Sequence, residues 1–163
     1  MMTKKMEDAV NAQLQREIYS AYLYLSMSAY CESINLKGFA SWLRVQAQEE
    51  LQHALKFFDY LNERGARAAL RAIDQPPQDF QSPREVFEQT LAHEKLITAS
   101  IHRLYETALD EKDYATQNLL QWFITEQVEE EAHATEYVEK LRRIGESSSA
   151  IFWIDKELGK RGK

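Results

Sequence analysis

The sequence predicts an all-α fold: a four-helix bundle with a long crossover between helices two and three, plus a short fifth C-terminal helix. Three observations carry this. Glycine and proline together are 8 of 163 residues, roughly 5% against an average near 12%, too few turn residues for the many short strands of a sandwich or barrel. Those few turn residues fall where they cut the chain into long unbroken segments, as helix boundaries should. Within the segments, apolar positions recur in alternating steps of four and three, the spacing that keeps side chains on one buried helical face. A chain of 163 residues with 44% hydrophobic and 28% charged residues is long enough to bury a core, and its size predicts one domain over 1–163.

The first helix is expected near 6–34 and ends at Asn35 and Gly38, where the second begins near 36–64. Gly65 opens an irregular stretch, 65–82, that contains Asp74, Pro76 and Pro77. Ser82-Pro83-Arg84-Glu85 closes it as a helix start, with Ser82 suited to the N-cap, Pro83 to the first helical position and Glu85 to a capping box. The third helix then runs near 83–111. Asp110-Glu111-Lys112-Asp113 makes the next break, with Asp113 as the cap of a fourth helix near 113–144. Gly145 and Ser147-Ser148-Ser149 precede a fifth near 148–159. Each long helix spans roughly 40–48 Å and an 18-residue connection reaches about 60 Å, so the crossover can run the length of the bundle and set helix three parallel to helix two.

The inward lines carry charge where a core should be. Helix one gives Val10, Leu14, Glu17, Ala21, Tyr24 and Ser28; helix two gives Phe39, Leu43, Gln46, Glu50, His53, Phe57 and Tyr60. Helix three gives Phe87, Leu91, Glu94, Thr98, Ile101 and Tyr105; helix four gives Thr116, Leu120, Phe123, Gln127, Glu130, Ala134, Tyr137 and Leu141. Every line turns polar in its middle, and counting from each tight turn places the polar groups at matching heights. Glu17 to Glu94, Glu50 to Gln127 and His53 to Glu130 are all shifts of 77 residues, which suggests two helical hairpins related by a pseudo-two-fold axis. Four carboxylates gathered in a core repel one another and lose hydration, at several kcal/mol per ion or with forced protonation. A cation is therefore expected. Two divalent ions balance Glu17, Glu50, Glu94 and Glu130, and an oxygen-rich set with one imidazole and no thiolate suits iron(II) or manganese, with zinc able to occupy it.

Other classes are disfavoured by composition. The longest uncharged run, Ile18 to Cys31, is 14 residues, short of the roughly 20 that span a bilayer. The first residues pass from Lys4-Lys5 to Glu7-Asp8 without an apolar stretch, so no secretion signal is visible and a cytoplasmic location is expected. Cys31 is the only cysteine, which rules out an internal disulfide or a thiolate metal cluster. A net charge of -6 argues against nucleic acid as a partner.

The segments Glu17-Ile18-Tyr19-Ser20-Ala21-Tyr22-Leu23-Tyr24-Leu25, Glu49-Glu50-Leu51-Gln52-His53-Ala54 and Glu126-Gln127-Val128-Glu129-Glu130-Glu131 resemble the ferritin family, specifically its non-heme bacterial and archaeal members, over nearly the whole chain. The resemblance implies a ferroxidase centre in which Glu17, Glu50 and His53 hold one iron, Glu94 and Glu130 join a bridging Glu50 on the second, and Gln127 leaves that second site weaker. It implies a third iron position using Glu49, Glu126, Glu129 and Glu130, with Tyr24 as a hydrogen-bonding electron donor and Trp122 beside the centre. Heme is not expected, because Gln52 stands where heme-binding relatives carry a methionine and Glu130 replaces their second histidine. His93, His102 and His133 fall off the inward lines and are read as surface residues. The fifth helix, with Ile151, Phe152, Trp153, Ile154 and Leu158, carries too much apolar surface to stand alone; in the family it packs at the four-fold axes of a 24-subunit shell. The implied function is iron storage: oxidation of Fe(II) by O2 or H2O2 and deposition of ferric mineral inside a homo-oligomeric cage, with a discrete di-iron oxidase as the alternative.

Overall fold

The computed structural model describes residues 1–162, with Ser148 described by its backbone alone. It has five helices: α1 Lys4–Ser33, α2 Lys37–Glu63, α3 Pro83–Asp110, α4 Tyr114–Ile144 and α5 Ser148–Leu158. Among the described residues there is no strand, and no helix is long and apolar enough to cross a membrane.

Most helix starts follow from side-chain caps that satisfy otherwise unpaired backbone N–H groups. Thr3, Ser82, Asp113 and Ser147 accept hydrogen bonds from the backbone N–H of Met6, Glu85, Thr116 and Ala150. Pro83 occupies the first turn of α3. Glu85 does not close the expected box back to Ser82; its carboxylate accepts instead from the N–H of Gln81, one residue further out, because the chain enters the helix from the extended crossover. Asp113 also accepts from both terminal nitrogens of Arg64 at 2.9 and 3.2 Å, which ties the end of α2 to the start of α4.

The helices form the ring α2–α1–α3–α4, with α5 packed on α2 and α4. Ser20 of α1 meets His93 of α3, and Met27, further along α1, meets the earlier Thr90, so α3 is antiparallel to α1 and parallel to α2. The crossover makes this possible by running along α1. Asn11 bonds Arg67 and Ala69, Gln15 bonds Ala72, and Ser26 bonds Pro77, while Phe80 is buried with its ring 5.3 Å from that of Tyr30.

The core is divided in two. One apolar cluster, with Met27, Phe39, Leu43, Phe87 and Leu141, lies toward α5. The other, with Leu14, Phe57, Ile101, Leu120 and Phe123, lies at the opposite end. Between them sits a layer of buried polar side chains: Gln13, Glu17, Gln46, Glu50, His53, Glu94, Gln127 and Glu130. The predicted inward lines hold for α2. On α3 they need correction: Leu91, Thr98 and Tyr105 are only half-buried, whereas Val86, Thr90, Ile97, Ser100 and Leu104 are buried. This helix is covered by α1 as well as α4, so its apolar stripe is wider than one seam.

Candidate metal centre

Each helix delivers its acidic group to the polar layer from a position that its period directs inward. Glu17, Glu50, His53, Glu94 and Glu130 are all at most 5% exposed. Their ligand atoms fall into overlapping groups. Glu17, Glu50 and His53 offer atoms within 4.8 Å of one another, and so do Glu50, Glu94 and Glu130. Glu50 belongs to both groups, which places one carboxylate between two potential ion positions.

Amide donors hold this arrangement. Gln13 donates to Glu17 at 2.7 Å, and Gln46 donates to both Glu50 at 3.0 Å and Glu130 at 2.7 Å. Gln127 donates to the Glu94 carboxylate at 3.1 Å and to Thr98 at 3.2 Å, so its nitrogen faces α3 in this structure. The Tyr24 hydroxyl donates to the other Glu94 oxygen. His53 Nδ1 lies 3.2 Å from Glu50 Oε2.

These bonds do not neutralise the layer. Burial first, and then the charge of Glu50, pushes the Glu17 carboxyl up to about 8. Burial pushes Glu50 well above the carboxylate range, with Glu94 and Glu130 adding to it. Glu94 and Glu130 rise to about 7, burial again the largest cause. Glu17 Oε2, Gln13 Oε1 and Gln46 Oε1 are buried with no hydrogen-bond partner among the described residues. Buried oxygens without donors, clustered among carboxylates that resist ionising alone, fit a cation-binding site. An ion there would favour the charged forms and satisfy the free lone pairs.

The outlying expected residues are distributed unevenly. Glu126 lies 3.8 Å from His53 Nε2 and groups with His53 and Glu130 as a third set. Glu49 is paired with Arg161 at 2.6 Å. Glu129 is exposed and joins none of these groups. Trp122 sits 5.4 Å from the His53 ring, edge to face, with the Lys56 ammonium 4.4 Å from its centroid.

His102 and His133 are exposed, but His93 is not the surface residue its position suggests. It is half-buried, bonded to Ser20 at 2.7 Å and packed against Tyr19 and Tyr24. Burial lowers its pKa to about 4 and keeps the ring neutral. Periodicity misses it because α3 buries a second face against α1. Gln13 carries no role in the sequence reading either, although Gln13 and Gln46 share a signal: each lies four residues, one helical turn, before a buried glutamate.

The family model described as a ferritin-like domain matches residues 7–144. A probable bacterial non-heme ferritin-like protein of Haemophilus influenzae is 43% identical over 159 residues, which are 98% of this chain and 96% of that one. A bacterial non-heme ferritin of Staphylococcus aureus is 42% identical over 161 residues, 99% of this chain and 97% of its own. A crystal structure of an open-pore ferritin from the hyperthermophilic archaeon Archaeoglobus fulgidus superposes with a TM-score of 0.97 at 54% identity, over 99% of each chain.

Proposed function

The chain belongs to the ferritin family, and from that premise we propose that it stores iron, oxidising Fe(II) at the polar layer of each subunit and depositing Fe(III) as mineral inside a 24-subunit cage. The observation that carries this reading is Glu50, shared by two groups of buried ligands. A single carboxylate reaching both groups positions two iron(II) ions, here the substrate, close enough to act as a pair.

Glu17 and His53 complete the first position and Glu94 and Glu130 the second, with Gln127 supplying only a weak neutral oxygen if its amide turns. The second position therefore releases its ion more readily. Each iron(II) gives up one electron, so a pair supplies the two electrons that, with two protons, reduce O2 to H2O2, or H2O2 to two waters. The carboxylates stabilise the rising charge on iron because they are fixed in place before oxidation and shielded from water. Tyr24, bonded to Glu94, stands where it can lend a further electron to the oxidant, and the Glu126 group gives iron(III) a way off the centre with His53 and Glu130. Heme has no part in this reading.

Anaerobic titration of the metal-free protein with iron(II), followed by an O2 pulse, tests it on material of known size. Two irons bound and rapidly oxidised per subunit, with hundreds retained per particle, is the expected result. Two irons and no retained mineral would point to a discrete di-iron oxidase, and no stoichiometric binding would refute the centre.

A further inference from the structure

Between α1, the crossover and α3 lies a cavity of about 590 Å³, distinct from the polar layer. Arg16 of α1, Arg71 of the crossover and Arg103 of α3 line it, and Asp74 is its one carboxylate. All three arginines are exposed. The arginine ion pairs among the described residues belong to Arg64, Arg84, Arg142 and Arg161, so the guanidinium groups of the cavity are left uncommitted. On a chain of net charge -6 this is a local reversal of sign, and it concentrates anions.

The cavity is built rather than incidental. Arg71 is strapped to α1 on either side, by Ala69 N–H donating to Asn11 at 2.7 Å and by Gln15 donating to the Ala72 carbonyl at 2.7 Å, and Asp74 follows two residues on. The cavity wall is apolar and aromatic, formed by Tyr19, Ile73 and Ile97 with the exposed Leu96 at its mouth, and His93 stands in it, held by Ser20. Guanidinium forks match the oxygens of a phosphate, and three of them suit a dianion. The volume lies within the roughly 300–1,000 Å³ of small-molecule sites and is more than a bare oxyanion fills.

We propose that this cavity binds a phosphate monoester with an apolar ring system, of the nucleoside monophosphate class. The phosphate lies on Arg16, Arg71 and Arg103, and the ring lies on the Tyr19–Leu96–Ile97 wall. Asp74 disfavours additional negative charge at its end of the cavity.

Isothermal titration of the assembled, metal-free full chain at about 50 mM salt tests this with three probes: AMP, inorganic phosphate and adenosine. The expected result is one AMP per subunit, with phosphate and adenosine each at least about tenfold weaker because each lacks half of the contacts. Arg16→Gln and Arg103→Gln should each weaken AMP by about tenfold without moving the thermal midpoint, since both side chains are exposed, and about 300 mM salt should weaken it further. Absence of AMP binding, AMP binding indifferent to both substitutions, or phosphate binding as tightly as AMP would each overturn the proposal. Working without metal keeps the result independent of whether the polar layer oxidises iron.

Discussion

Glu50 is the carboxylate shared by the Glu17–His53 and Glu94–Glu130 groups, and its function and its stability should pull in opposite directions. Replacing it by Gln keeps the shape and the bond from Gln46 but removes the anion shared by both ligand groups. Iron(II) oxidation should fall by about 100-fold, since even outer-sphere changes at metal sites cost up to that much. The metal-free Glu50→Gln protein should nevertheless be more stable at pH 7.5, by about 1–2 kcal/mol, because folding no longer has to protonate this buried carboxyl or hold it charged among like charges. Denaturant titration beside stopped-flow oxidation checks both halves. Titration of the same layer sets a pH dependence. Folding raises Glu17 to about 8 and Glu94 and Glu130 to about 7, whereas their unfolded values lie near 4.5. The folded chain thus holds protons that the unfolded chain has released, so metal-free stability is greatest below about 4.5 on this account and declines as pH rises through about 8. Calorimetry of the metal-free protein between pH 5 and 8 should show a falling midpoint, and Zn(II) added at pH 7 should release protons and reverse the fall. A midpoint that rises with pH in that window would contradict the assignment. How much of this layer the sequence made legible follows from what periodicity encodes. It encodes facing, so Glu17, Glu50, His53, Glu94 and Glu130 could be placed inward; it does not encode partners on another helix, so the amide of Gln127 turned to Glu94 and the Ser20–His93 bond could not be read.

Helix ends were legible where a single residue type answers a single backbone need, as at Ser82, Pro83 and Asp113. They were less so where the need is shared: Glu85 turns to Gln81, and α3 buries two faces. Two turns carry left-handed residues, Asn35 with φ 61° and Lys112 with φ 54°. Asn tolerates that region, while Lys does so at about 1 kcal/mol of strain. Lys112→Gly should therefore stabilise the protein by no more than about 0.5 kcal/mol after the added freedom of the unfolded chain is subtracted, whereas Asn35→Ala should destabilise it; paired thermal melts decide. The docking of α5 on α2 rests on a different glycine. A Cβ at Gly38 would stand 1.6 Å from the backbone oxygen of Asp155, and the Asp155 carboxylate accepts from the Phe39 N–H at 3.0 Å. Gly38→Ala should push α5 away, costing about 1–3 kcal/mol, with proteolysis appearing first near Gly145 and the four-helix bundle intact by circular dichroism.

On the scale of the whole molecule, α5 presents a division that the subunit alone does not resolve. Ile154 and Leu158 are buried against the bundle, while Phe152 and Trp153 are 62% and 74% exposed. Two adjacent bulky side chains held in water on a helix otherwise well docked are the mark of an interaction surface, which the proposed cage assigns to other copies of the chain. The candidate ligand groups, by contrast, each lie within one chain. Assembly and metal binding should therefore separate. Phe152→Ser combined with Trp153→Ser removes apolar surface that the subunit's own core does not use, so the monomer fold and its helicity should persist while light scattering shows particles smaller than the closed shell. Those particles should still bind two Zn(II) per subunit, and should oxidise iron(II), but the iron should precipitate in bulk instead of being retained. Retention of mineral by small particles would remove the cage from the storage reading, and loss of zinc binding would show that the centre needs its neighbours after all.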